Sequence, residues 1–413
     1  MKNIMKKIIV VMLIGLMMLG MTACGGSQKA DTPSNENNSS GEETFKIGLS
    51  LSYTGPTAQY GIEARNGVLL ALEKINAEGG FNGAKGVLAT AYDNKGSVEE
   101  AVKNAQKLIQ NEDVDAIIGS QVSAKTLATG QYFNEAKIFT IGMGTSATWM
   151  KQGWEYVIRG AVNYDFIAAE LVKMVKEMGI TKIAIMKDQQ EAALAFADQF
   201  EQLGKEVGIT VVASESCEVE DTDLSSQCAR LLAAKPQAIL MSMTSSDCGY
   251  FVKQIRQHGY TGLLFDKESF YSDLIDIAGV ENSNYILFCN PYVTYTDIED
   301  CDIEYMREFL QLYKNEYGEL PRTEIPYRAW DSMMVLWEAT KLAGSNKSED
   351  LIKVVPQIKI QGLGGIMDYS NGDGEPYHNV SRFVLLDGKN ISWENWMENG
   401  GYELYKDETG NEY

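Results

Sequence analysis

From Phe45 onward, short apolar segments alternate with amphipathic ones, which restricts the chain to folds built on parallel sheets covered by helices. Phe45–Ser52, Val87–Asp93, Val114–Gly119 and Ile138–Met143 read as strands. Between them, Gly61–Ala77 places Val68, Leu69, Leu72 and Ile75 on one helical face. Ser97 opens a second helix with Glu100 at the capping-box position, and Ala124–Glu135 is a third. After Tyr156–Asn163 the pattern restarts. Helices at Phe166–Met178, Leu194–Val207, Leu224–Ala234 and Gly249–His258 alternate with strands at Lys182–Lys187, Ile209–Glu215, Ala238–Met243 and Leu263–Asp266. Two runs of similar size predict two lobes. The last third has a strand at Tyr285–Tyr292, helices at Ile303–Tyr317, Tyr327–Ala343 and Ser348–Ile358, a Gly-rich hairpin at Gly362–Asp373 and a strand at Val380–Leu386. It lacks an alternation of its own, so it is expected to complete both lobes, with the chain crossing between them more than once.

The N-terminus carries a different signal. A basic start, Met1–Lys7, precedes an apolar run, Ile8–Met21, too short to span a bilayer comfortably; this reads as a signal peptide. It ends Met21-Thr22-Ala23-Cys24-Gly25-Gly26. Small residues before a cysteine resemble a bacterial lipobox, with Met21 in place of the commoner leucine. That resemblance implies cleavage before Cys24 and lipidation of its thiol; the bland alternative is an ordinary signal peptide with a chance cysteine. Gly25–Glu43 contains almost nothing apolar and is expected to be a disordered tether. As a flexible coil it would span about 25 Å. The expected organisation is residues 1–23 as signal peptide, 24–43 as lipidated cysteine and tether, 44–164 with 292–368 as the first lobe, and 165–291 with 369–413 as the second.

Composition excludes several functions. The formal net charge is −21, and loss of Lys2, Lys6 and Lys7 with the signal peptide makes the mature chain near −24 (−21 less three). Such a surface repels phosphates, so no nucleic-acid partner is expected. There are two histidines, His258 and His378, and no CxxC pair among Cys217, Cys228, Cys248, Cys289 and Cys301, so neither a metal nor a cofactor is expected. Cys228 and Cys248 fall in apolar patterns and read as core thiols, with a Cys217–Cys228 bridge left open. Phosphate-loop and nucleophile-elbow motifs are missing, and Gly142-Met143-Gly144 lacks the third glycine of a dinucleotide fingerprint. Enzymatic activity is not expected.

The segment Ser52-Tyr53-Thr54-Gly55-Pro56-Thr57-Ala58-Gln59-Tyr60-Gly61 resembles the first strand–loop–helix of the periplasmic leucine/isoleucine/valine-binding proteins. The likeness continues through Gly67–Ala71, Ile75–Gly80, Tyr92-Asp93, Ile117–Ser120 and Gly144–Thr148, and runs from about Phe45 to about Trp396. It implies an α/β fold of two doubly wound parallel-sheet lobes, the type I periplasmic binding protein fold, with a hinge and an interlobe ligand cleft. By that resemblance the chain is a monomeric, membrane-anchored substrate-binding lipoprotein outside the cytoplasm. It is expected to deliver an amino acid of the branched-chain or related neutral class to an ABC permease. An amide- or urea-type solute is the alternative, and a surface-anchored enzyme the third reading.

The resemblance also implies site residues. Ser123 follows a strand and opens a helix, where its hydroxyl and nearby N–H groups suit a carboxylate. Gly144 and Ser146 lie beyond another strand's C-terminal end, where open α/β sheets bind ligands. Helix capping is the alternative role for each serine. Tyr60 matches a pocket-lining aromatic, or else is a surface residue at a helix start. Glu268 lies near the family's ammonium-binding acid, with Asp266 as its rival and a surface carboxylate as the bland reading. Ala192 and Ala193 replace a usual Tyr-Gly pair, and the strand end near Thr244 lacks an aromatic, so the second lobe loses bulk that Trp149 or a larger ligand would fill.

Overall fold

The computed structural model describes residues 43–268 and 272–411; the signal-peptide and Cys24 readings, and the tether up to residue 42, lie outside them. These described residues form one compact unit. Its first sheet is all parallel, in the order β2-β1-β3-β4-β5: β1 (Thr44–Leu51), β2 (Lys85–Asp93), β3 (Ala116–Ile118), β4 (Phe139–Gly142) and β5 (Val157–Arg159). Three helices connect these strands: α1 (Ala58–Ala77), α2 (Val98–Asn111) and α3 (Ser123–Glu135). Every residue of β3, β4 and β5 is buried, as expected of strands covered on both faces. Ser97 caps α2 by accepting from Glu100 N (3.4 Å). The reciprocal half of the capping box is absent: Ser97 N donates to Asn94 O (2.8 Å), while the Glu100 carboxylate pairs with Lys103.

The second sheet begins after α4 (Tyr164–Glu177). β6 (Lys182–Asp188), β7 (Thr210–Cys217), β8 (Ala238–Ser242), β9 (Leu263–Asp266) and β10 (Ile286–Asn290) are parallel to one another. They are interleaved with α5 (Glu191–Glu206), α6 (Ser225–Ala233), α7 (Ser245–Gln257) and α8 (Ser272–Ala278). The chain then returns through α9 (Glu304–Tyr317), α10 (Ile325–Ala343) and α11 (Ser348–Val354), which pack on the first sheet's helices and strands, and through the hairpin β11 (Lys359–Gly362)–β12 (Gly365–Asp368). Gly67 allows the close crossing of α1 and α10: a Cβ there would collide with the Pro326 carbonyl. Finally β13 (Ser381–Leu386) and β14 (Lys389–Ser392) join the second sheet, ahead of α12 (Trp393–Glu398) and α13 (Gly401–Thr409). These two strands are antiparallel, so the second lobe is a mixed sheet and departs from the expected all-parallel one. The pattern of two α/β lobes holds, and the chain enters each sheet's layer more than once.

Cys217, Cys228, Cys248, Cys289 and Cys301 are all buried free thiols, so the Cys217–Cys228 bridge does not form. No helix among the described residues is long and apolar enough to cross a membrane.

Candidate ligand-binding cleft

The strand ends of both sheets converge on a cavity of about 270 Å³. That volume is just under the ~300–1,000 Å³ range of ligand pockets, so the space suits a solute of amino-acid size. From the first lobe come Tyr60, Gln121, Ser123, Lys125, Thr145 and Arg328; from the second come Gln190, Glu191, Ala192, Thr244, Lys267 and Glu268.

The first-lobe end is a helix start. Lys125 N and Thr126 N bond back to Val122 O (3.0 and 3.1 Å), and the N–H groups of Ser123 and Ala124, ahead of that first turn, are the donors a helix start leaves over. Ser123 Oγ accepts from Thr145 N and Ser146 N (both 3.1 Å), which fixes the loop after β4 against α3 and leaves the hydroxyl hydrogen available. Gly144 keeps this approach close: a Cβ there would lie 2.9 Å from Ser123 Cα and 3.1 Å from Trp149 Nε1. Arg159, fully buried at the end of β5, ties the same loop from below. It donates to the Gly144 and Ser146 carbonyls, lies 4.3 Å from the Trp149 ring centroid and pairs with Glu375 at 2.6 Å.

Five of the sequence-predicted residues, Tyr60, Ser123, Ala192, Thr244 and Glu268, line the cavity; Gly144 and Ser146 do not. Gly144 is packed behind it against Ser123, and the neighbouring Thr145 takes the lining position. Ser146 Oγ donates to Glu191 Oε1 (2.8 Å), a hydrogen bond that joins the two lobes at the rim. Tyr60 makes a second such link, its hydroxyl accepting from Ser245 N (3.4 Å). Thr244 caps α7, accepting from Asp247 N (3.3 Å), while its own N–H donates to Asp188 (3.0 Å). Trp149 is buried beneath Arg159 and fills no part of the cleft. Of the rival acids, Glu268 lines the cavity. Asp266 is buried at the end of β9 outside it, and its burial pushes the carboxyl up to about 7.

Charge is the feature least visible in the sequence. Three cations line the cavity while almost wholly buried: Lys125 (2% exposed), Arg328 (2%) and Lys267 (5%). Arg328 pairs with Glu324 one turn earlier. Lys267 pairs with Glu268 at 2.8 Å and sits 5.4 Å from the Tyr164 ring centroid, and Tyr164 also donates to Glu268. Burial holds the Lys267 ammonium below its ordinary range, and burial together with the Glu268 charge holds the Tyr60 phenol well above its own. Lys125 Nζ donates to Ser52 Oγ (2.8 Å) and, at 3.5 Å, to Thr57 Oγ1; burial pulls its ammonium down to about 8. Gln121, 6% exposed, has neither amide atom hydrogen-bonded among the described residues.

Two α/β lobes with an amino-acid-sized cleft of mixed polar and apolar lining between their strand ends define a solute-binding protein. The profile of the family described as "Periplasmic binding protein" matches residues 44–389, and the chain belongs to that family. The chain is 28% identical over 312 residues to Leu/Ile/Val-binding protein homolog 7 of Brucella abortus (strain 2308), across 71% of this chain and 76% of the relative. It is 29% identical over 241 residues to the leucine-, isoleucine-, valine-, threonine- and alanine-binding protein of Pseudomonas aeruginosa, across 57% and 64%. Its fold matches that of LivJ, the branched-chain amino acid transporter substrate-binding protein of Streptococcus pneumoniae in complex with isoleucine (TM-score 0.74, 23% identity, 85% of this chain and 98% of that one). It also matches a Rhodopseudomonas palustris ABC-transporter solute-binding protein in complex with benzoate (TM-score 0.74, 20% identity, 85% and 95%). The family is one of extracytoplasmic substrate-binding proteins that serve ABC transporters and are not enzymes.

Proposed function

We propose that this chain captures an amino acid in the interlobe cleft and delivers it to an ABC permease, from a position outside the cytoplasm held by a lipid on Cys24. The observation that carries this reading is the pairing of ends. The start of α3, with Ser123 and Ala124, offers a seat for a carboxylate. Tyr60 and Glu268, in the same cavity, offer a seat for an ammonium. Lobes divided at 44–164 with 292–368 and 165–291 with 369–413 would close about the connecting segments, and the Ser146–Glu191 and Tyr60–Ser245 hydrogen bonds belong to the closed form. A second reading, an acid without an ammonium, is favoured by one observation: Glu268 already holds Lys267. Titration calorimetry with L-leucine, benzoate and acetamide separates these. Leucine binding at one site per chain supports the amino-acid reading, benzoate alone supports the second, and acetamide alone refutes both.

A further inference from the structure

Beside the aliphatic Val98, Val122 and Ala124, the wall around the first-lobe seat carries buried polar groups that an aliphatic side chain would leave unmatched. Lys125 and Gln121 bring an ammonium and a primary amide into the cavity, and both side chains are more than nine-tenths buried. An ammonium has three N–H donors. Two of those of Lys125 go to the neutral hydroxyls of Ser52 and Thr57. Ser52 in turn donates to Asn94 Oδ1 (2.8 Å), so the hydroxyls that receive Lys125 form a relay that ends on an amide and carries no countercharge. Among the described residues no carboxylate pairs with Lys125. Asp93, whose field reaches it, is occupied by its own loop, accepting from Tyr53 N (2.8 Å), Thr54 Oγ1 (2.7 Å) and Lys95 N (2.8 Å). Lys267 and Arg328, by contrast, each have a carboxylate partner.

A buried cation without a countercharge and a buried amide with four idle hydrogen-bonding positions are both costly unless something completes them. An isobutyl or sec-butyl group would seal them from water and complete neither. A carboxylate would accept the third Lys125 N–H and one from the Gln121 amide.

We infer that Lys125 and Gln121 form an acid-reading corner of the cleft, and that the solute is a dicarboxylic amino acid whose side-chain carboxylate is received there. This rests on the amino-acid reading above and narrows it. It assigns Lys125 and Gln121 as specificity-determining residues.

The test is calorimetric titration of the wild type, K125M and Q121L with L-glutamate, L-aspartate, L-leucine and benzoate, with thermal melts to show that each variant is folded. The wild type is expected to bind L-glutamate or L-aspartate more tightly than L-leucine. K125M should reduce that preference by about tenfold to a hundredfold, the span of one charge-assisted hydrogen bond. Q121L should reduce it in the same direction by less, and it decides the matter if K125M does not fold. Leucine binding more tightly than both acidic amino acids, or a preference unchanged in the folded variants, overturns this inference and leaves the amino-acid reading standing. Benzoate binding alone overturns both in favour of the second reading, and binding of none of the four overturns all three.

Discussion

Replacing Lys125 with methionine should stabilise the ligand-free protein. The ammonium is drawn from its ordinary 10.5 down to about 8 by burial in the first lobe. At 1.36 kcal/mol per pH unit, the protonated side chain destabilises the fold by roughly 3 kcal/mol relative to the unfolded chain. Methionine fills a similar volume without the charge. The roughly 3 kcal/mol penalty already compares the charged with the neutral amine, so what methionine further gives up is the neutral part of the hydrogen bonds to Ser52 and Thr57, about 1 kcal/mol each. Ser52 keeps its bond to Asn94, so no orphaned hydroxyl remains there. A net gain of about 1–2 kcal/mol is therefore expected at pH 6.5. The pH dependence has a definite sign. Below about 8 the lysine is protonated in both states and the full penalty applies. Between about 8 and 10.5 the unfolded chain binds more protons than the folded one, so wild-type stability from this group rises with pH. The advantage of K125M should thus shrink between pH 6.5 and pH 9.5. Urea unfolding of both proteins at the two pH values measures it. A variant less stable than wild type at pH 6.5, or an advantage independent of pH, would refute the assignment of Lys125 as an uncompensated buried charge.

Three further outcomes are expected. S123A should weaken ligand binding about tenfold, because the hydroxyl both positions the Thr145–Ser146 backbone and offers its hydrogen to the ligand; calorimetry against wild type checks this. S146A should weaken binding only severalfold, about 1 kcal/mol, through loss of the Glu191 contact between lobes, and E191Q should act in the same direction by less because an amide oxygen still accepts. Asp331, fully buried, accepts from Leu363 N (2.8 Å), Tyr377 OH (2.9 Å) and Tyr292 OH (3.1 Å), so D331A should cost about 3 kcal/mol or more in urea unfolding by stranding three donors.

The fold was legible because its information is periodic. The strand–helix alternation located β1–β4 and β6–β10 to within a few residues, and β9, Leu263–Asp266, to the residue. The short α8, and the β14–α12–α13 ending at residues 389–409, were not anticipated. Seven residues of α8 make barely two turns, and the ending is held by Trp393, Trp396 and Tyr405 packing onto the second lobe, a tertiary effect with no sequence period. At the site, the place of Ser123 on the cavity wall was readable because it lies between a strand end and a helix start. Ser146 was misplaced by one position: a loop's inward and outward residues depend on how Arg159 draws down the Gly144 and Ser146 carbonyls, and that arginine lies 13 residues further on. Lys125, Gln121, Lys267 and Arg328 escaped notice for the opposite reason. A charged or amide side chain ordinarily faces water, and tertiary packing buries these four, Lys125 and Arg328 on helices and Gln121 and Lys267 in loops.

A cleft with these seats should hold one small solute bearing a carboxylate. Mass spectrometry of small molecules released by acid from the purified protein tests it most directly. The expected result is a carboxylic acid of amino-acid size, near one per chain, that rebinds the stripped protein and protects it from thermal unfolding. Recovery of a neutral amide, or of any solute without a carboxylate, at that stoichiometry would contradict it.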